Sequence, residues 1–158
     1  MRIAADGFDV EVPEGWEVRI SRPTEKLEGG VSKPVLHAAT FPLPEGRGDY
    51  GSGAVEMMGT NDVFVSLLEF GDEAVDSALF RPGPMPRSID PQKFRTNGMQ
   101  RWIPGQSAYQ HFFTESGRAY CLYVVLGDHS RRVALSATVR QLLQSIRLQP
   151  KGGGMRPI

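Results

Sequence analysis

Apolar and polar side chains alternate strictly near the start of the chain. Phe8, Val10 and Val12 are separated by Asp9 and Glu11, the period of two that marks a half-buried strand, and Pro13 ends the run. Glu14-Gly15 supplies a turn, after which Trp16, Val18 and Ile20 fall on one side and Glu17 and Arg19 on the other. Together these two runs predict an N-terminal β-hairpin.

Residues 22 to 34 hold two prolines, a Gly-Gly pair and mostly polar side chains, and are expected to form an exposed connection. Residues 35 to 41, VLHAATF, read as a third strand whose small side chains allow close packing. The proline- and glycine-rich PLPEGRGDYGSG that follows reads as a loop. Ser52 is positioned to cap a short helix through AVEMMG, hemmed in by Gly53 and Gly59. Asn61-Asp62 then turns the chain into VFVSLLEF, whose β-branched and aromatic content predicts a central strand from Val63 to Phe70. Glu69 shares the phase of Val63, Val65 and Leu67, so it lies near the strand end, is paired, or belongs to a site. An edge position is the simplest account.

The last third carries the clearest pattern. SAYQHFFTE and RAYCLYVVL flank Ser116-Gly117 and predict a hairpin. In its second arm both alternating sets are apolar, so this arm is expected to lie centrally with both faces covered. Val139, Leu142, Leu143 and Ile146 recur at helical spacing, which places a helix over residues 133 to 145. IRLQ reads as a short final strand, and KGGGMRPI as a loose tail.

Residues 71 to 105 have no clear period. RPGPMPRSIDPQKFRTNGMQRWIPG holds five prolines and three glycines, an excursion too long to be an ordinary connection within a compact domain. Phe94, Met99, Trp102 and Ile103 are expected to anchor it as an ordered, draped loop. Arg81, Arg87, Lys93, Arg95 and Arg101 make it basic.

These elements imply one α+β domain over residues 1 to 150, a mainly antiparallel sheet with packed helices, followed by a flexible tail over 151 to 158. The order of "VPEGW", "VLHAATF", "VFVSLLEF", the aromatic hairpin and "VRQLLQSIRL" resembles the PsbP-like or Mog1-like fold, an α/β/α sandwich. That resemblance covers most of the chain in outline. Members of the fold are accessory and partner-binding proteins, among them a photosystem assembly subunit and a nuclear-transport cofactor. The chain is also similar to proteins of high-GC bacteria that carry no assigned function.

Composition narrows the chemistry. A chain of 158 residues can bury a core without metals or disulfides, and its single cysteine, Cys121, has no intramolecular partner. The N-terminus lacks the apolar run of a signal peptide and no segment is long enough to span a membrane, so the expected setting is cytoplasmic with no membrane partner. Formal net charge is +0, which argues against a nucleic-acid partner. The charges are nevertheless segregated, acidic through residue 80 and basic after it. That asymmetry suits either a compensated surface or an electrostatically matched homodimer.

No Walker, GxGxxG, HExxH or GxSxG motif is present. GRGDYGSG lacks the lysine of a phosphate cradle, and Asp49, Glu56 and Asp62 lack a calcium-loop spacing, so neither a cofactor nor a metal is expected. His37, His111 and His129 show no ligand-like spacing. The favoured reading is a non-catalytic protein-binding or assembly module whose interface holds Arg87, Lys93, Arg95, Met99, Arg101 and Trp102, because arginine and tryptophan are enriched at binding hot spots. One alternative is a homo-oligomeric structural protein. Another is a hydrolase or thiol enzyme in which His111, on the neighbouring strand, activates Cys121 as a nucleophile.

Overall fold

A computed structural model of the protein describes residues 1–22 and 33–150. Most of the predicted connection at 22 to 34 and all of the tail at 151 to 158 lie outside those residues. In chain order the strands are β1 (Arg2–Ala5), β2 (Phe8–Glu11), β3 (Glu17–Ser21), β4 (Val35–Ala39), β5 (Val63–Phe70), β6 (Ser107–Glu115) and β7 (Arg118–Leu126). Helix α1 (Arg132–Leu143) and strand β8 (Ile146–Leu148) complete them. They form an α+β fold with two antiparallel sheets, one ordered β1-β2-β8 and the other β3-β4-β5-β7-β6.

The N-terminal hairpin expected between residues 8–12 and 16–20 does not form. Gly15 turns the chain with φ 87°, and the Trp16 N–H donates to the Pro13 carbonyl at 3.2 Å, but the turn carries the chain from one sheet to the other. β2 lies between β1 and β8, with Phe8 opposite Leu148 and Val10 opposite Ile146, whereas β3 pairs with β4. The hairpin that does form joins β1 to β2 through Asp6 and Gly7, at φ 54° and 90°. Both residues are left-handed, as a type I′ hairpin turn requires, and Asp-Gly is among its preferred sequences. β1 escapes a hydrophobic reading because it is mostly exposed.

β5 and β7 occupy the interior of the larger sheet, and every residue of β7 after Arg118 is buried. Alternate residues of this sheet face two separate layers. Leu36, Ala38, Val63, Val65, Leu67, Leu122, Val124 and Leu126 join a core with Phe8 and Val10 of the small sheet and with Leu135, Val139, Leu142 and Leu143 of α1. A helix of 12 residues is marginal alone, so this contact is what stabilises it, at about 2 kcal/mol per fully buried aliphatic side chain. No second helix covers the opposite face among the described residues. That layer is built from loops, with Leu43, Ala54 and Val55 packed on Ala39, Phe64, Tyr123 and Val125.

The helix expected at AVEMMG is a single 3-10 turn, Val55–Met57, and its N-cap is Ala54 with no side-chain cap from Ser52. Gly51 and Gly53, both at φ 90°, curl the preceding chain too tightly for a longer helix to start there. Glu69 is the penultimate residue of β5, inside the sheet and not at its edge, and Arg118 Nη1 lies 3.0 Å from its carboxylate.

Candidate functional site

Cross-strand register places Arg19, His37, Ser66, Tyr123 and Gln110 in one row across all five strands, on the loop-covered face. His37, Ser66 and Tyr123 are buried there. A polar row inside an apolar layer requires partners, and the loops provide them. Arg47 Nε donates to His37 Nδ1 at 2.7 Å, which leaves Nε2 as the protonated nitrogen, 2.9 Å from the Asp49 carbonyl. Ser66 Oγ donates to the same carbonyl at 2.6 Å, and the Gln100 N–H donates to the Tyr123 hydroxyl at 2.7 Å. Burial pushes the His37 pKa down to about 4, so the ring is neutral at physiological pH. With both nitrogens engaged, His37 is a clamp for the 44–51 loop and has no lone pair left for proton transfer or a metal.

Cys121 and His111 are not brought together. His111 is opposite Leu122 and faces the helix side, whereas Cys121 is opposite Phe112 and faces the loop side. Cys121 is fully buried, with Gln110 Nε2 at 3.5 Å from its sulfur, and burial pushes its thiol pKa up. A nucleophilic thiol needs the opposite environment. Asp62 and Glu56 are also occupied: Asp62 accepts from Thr40 and Gly59, and Glu56 accepts from the Gly53 N–H and pairs with Arg101. Among the described residues no group of three His, Cys, Asp or Glu side chains is placed to hold a metal ion.

Residues 81–105 form an ordered, draped loop. The proposed interface residues divide into tethers and free groups. Arg87 Nη1 donates to the Leu143 carbonyl at 2.8 Å and also to that of Ile146, so it ties the loop to the carboxyl end of α1. Met99 is partly buried against the loop-side core, and Arg101 pairs with Glu56. Lys93 and Arg95 are exposed and make no ion pair among the described residues. Trp102 reverses the expectation of an anchor packed on the domain body, because it is 67% exposed. Phe94, Met99 and Ile103 hold the loop instead, and the Trp102 indole is left over.

Clefts open at the two ends of the polar row. One is lined by Ser21, Arg22, His37, Glu45, Arg47 and Asp49, and its central groups are satisfied by the bonds just described. The other is lined by Lys93, Arg95, Gly98, Ala108, Tyr109 and Gln110, where the two cations have no counter-ion among the described residues. A third cleft joins the two sheets near Asp6, Arg22, Lys33, Glu69 and Arg118; Arg22 pairs with Asp6 at 2.7 Å and Arg118 with Glu69 at 3.0 Å, and Lys33 makes no ion pair among the described residues. Of these three clefts, the Lys93–Arg95 cleft alone holds two cations without ion pairs among the described residues.

Compared with known proteins, the chain matches no protein-family model, no curated protein and no solved structure. No described helix is long and apolar enough to cross a membrane.

Proposed function

We propose that this chain is a non-catalytic protein-binding module that engages its partner through the 93–102 loop. The observation that carries the reading is Trp102, 67% exposed on a loop fixed on both sides of it. Arg95 exchanges both backbone hydrogen bonds with Ala108, at 2.9 and 3.0 Å, Gln100 is held by Tyr123, and Ile103 packs against the core. A large aromatic side chain on a pre-organised loop loses little conformational entropy on binding, and tryptophan and arginine are the residue types that dominate interface energies. Exposed Lys93 and Arg95 add a positive rim suited to an acidic partner. The resemblance to PsbP-like and Mog1-like proteins, with their α/β/α sandwich and accessory roles, accords with this proposal.

The test is capture from lysate of the source cells at low salt, with Trp102→Ala as the paired bait. A hot-spot tryptophan is worth about 2 kcal/mol or more, so the variant should lose at least about 30-fold in affinity for a captured partner. Its urea midpoint should stay unchanged. A partner that binds both baits equally would remove Trp102 from the interface.

A further inference from the structure

The outer edge of the larger sheet is covered at two places and open between them. β6 is the edge strand, and its residues 109, 111, 113 and 115 direct their backbone groups toward β7, so those of 108, 110, 112 and 114 point outward. Ala108 is paired with Arg95 as in an antiparallel ladder. Thr114 is covered from the other end of the loop by a parallel bridge with Pro82. Its N–H donates to the Arg81 carbonyl at 2.9 Å, and the Gly83 N–H donates to the Thr114 carbonyl at 2.9 Å. The loop thus fills the sixth-strand position at two points, running parallel to β6 at Thr114 and antiparallel to it at Ala108.

Between those points the chain leaves the edge line. Met85, Ile89 and Phe94 dive into the core on the helix side. The backbone N–H and C=O groups of Gln110 and Phe112 have no hydrogen-bond partner among the described residues. Unpaired edge groups are a template for strand pairing, and native sheets normally cover or blunt them. The gap from Ala108 to Thr114 is about 20 Å at about 3.4 Å per residue. It has room for a short extended segment.

We infer that this gap in the β6 edge is a docking site for a short extended acidic peptide, which completes the interrupted sixth strand by pairing with Gln110 and Phe112. Two observations select that occupant. Arg81 at one end of the gap and Lys93 and Arg95 at the other are exposed cations without ion pairs among the described residues, so both ends favour carboxylates. A second copy of this chain is excluded sterically at the same edge. Its β6, laid antiparallel, would have to occupy the positions beside Ala108 and Thr114 that Arg95 and Arg81–Gly83 already fill. The two covered points therefore act as a size gate, admitting a free segment of a few residues and refusing a full strand. Specificity would come from alternate side chains, since half of them meet Tyr109 and His111 on one face and the others meet Gln110 and Phe112 on the opposite face.

The inference rests on the binding-module reading, and its test separates the two. A phage-displayed random octapeptide library is selected on the intact protein, and enriched peptides are resynthesised with and without backbone N-methylation at alternate residues. Acidic peptides should be enriched and should slow hydrogen exchange at the Gln110 and Phe112 amides. Methylation on one alternation, but not the other, should weaken binding at least tenfold. Gln110→Pro, tolerated on an edge strand and lacking the outward N–H, should show the same loss. Failure to enrich any peptide over a bare support, enrichment of neutral or basic peptides, or unchanged exchange at those two amides would overturn strand addition. A lysate partner lost by Trp102→Ala but retained by Gln110→Pro would overturn it too while leaving the binding module standing. Acidic peptides that protect both amides, with lysate partners indifferent to Trp102→Ala, would uphold it and remove Trp102 from the binding surface.

Discussion

Acidification should release the His37 clamp, and the effect can be calculated. His37 is 3% exposed, and burial lowers its pKa from 6.5 to about 4. The unfolded chain binds this proton near pH 6.5, whereas the folded chain resists it until about pH 4. The associated stability is therefore complete above pH 6.5 and is lost as pH falls toward 4. At 1.36 kcal/mol per unit, the loss is about 2 kcal/mol by pH 5 and about 3 kcal/mol by pH 4. That is a large fraction of the 5 to 15 kcal/mol typical of a domain. The structural reason is local: protonating Nδ1 removes the acceptor that Arg47 uses and sets two cations against each other. His37→Gln lacks the titration but keeps an amide donor for the Asp49 carbonyl. Urea unfolding followed by fluorescence of the buried Trp16 should be measured for both proteins from pH 7.5 to 4. Asp9, held below the usual carboxylate range by Arg2, and Asp128, lowered by hydrogen bonds from Ser130, are present in both proteins and cancel in the difference. The native protein should lose about 3 kcal/mol more than the variant over this range. Parallel stability curves would refute the argument.

Arg87→Ala should reduce stability by about 2 to 3 kcal/mol in urea titration, since a charged donor to two carbonyls at the end of α1 is removed. Partner binding by the surviving folded fraction should be unaffected, and a binding defect without loss of stability would return Arg87 to the interface. Gly127→Ala should be among the most damaging small changes, because the added carbon would sit 1.9 Å from the Gly59 carbonyl oxygen. A fall in Tm corresponding to about 2 kcal/mol or more is expected, and an unchanged Tm would mean that the 59–62 turn is free to move. Cys121 should react with an alkylating reagent only in denaturant, and rapid labelling of the folded protein would show that its strand opens.

Local pattern and tertiary structure each decided a definable part of this protein. The β6–β7 hairpin, β5, α1 and β8 are legible because each carries a full period of apolar residues. For the aromatic hairpin the turn and both arms are adjacent in sequence, so its pairing partner is local as well. The N-terminal region shows where that logic stops. Both runs around Glu14-Gly15 are strands and the turn is real, yet alternation records only that a strand has one buried face. One partner of β2 is β1, joined to it by the local Asp6-Gly7 turn, but the other is β8, more than a hundred residues away, and no local signal specifies it.

The same division holds for the candidate site. Irregularity, basic charge and bulky side chains single out residues 81 to 105 as a candidate interface loop, and its Lys93, Arg95 and Trp102 remain free at the surface. Composition could not separate them from Arg87, Met99 and Arg101, whose side chains are spent on the carbonyls at the end of α1, the loop-side core and Glu56. Nor could it separate His111 from Cys121 except by parity, which the hairpin register contains: partners sum to a constant, so His111 meets Leu122 and the thiol faces away. The sequence by itself determined every strand except the exposed β1, the helix that covers them and where the chain is irregular, because those depend on side-chain period and turn chemistry. Tertiary structure alone decided which edge stayed open and which charges stayed unpaired, because both depend on segments that meet only after the chain has closed.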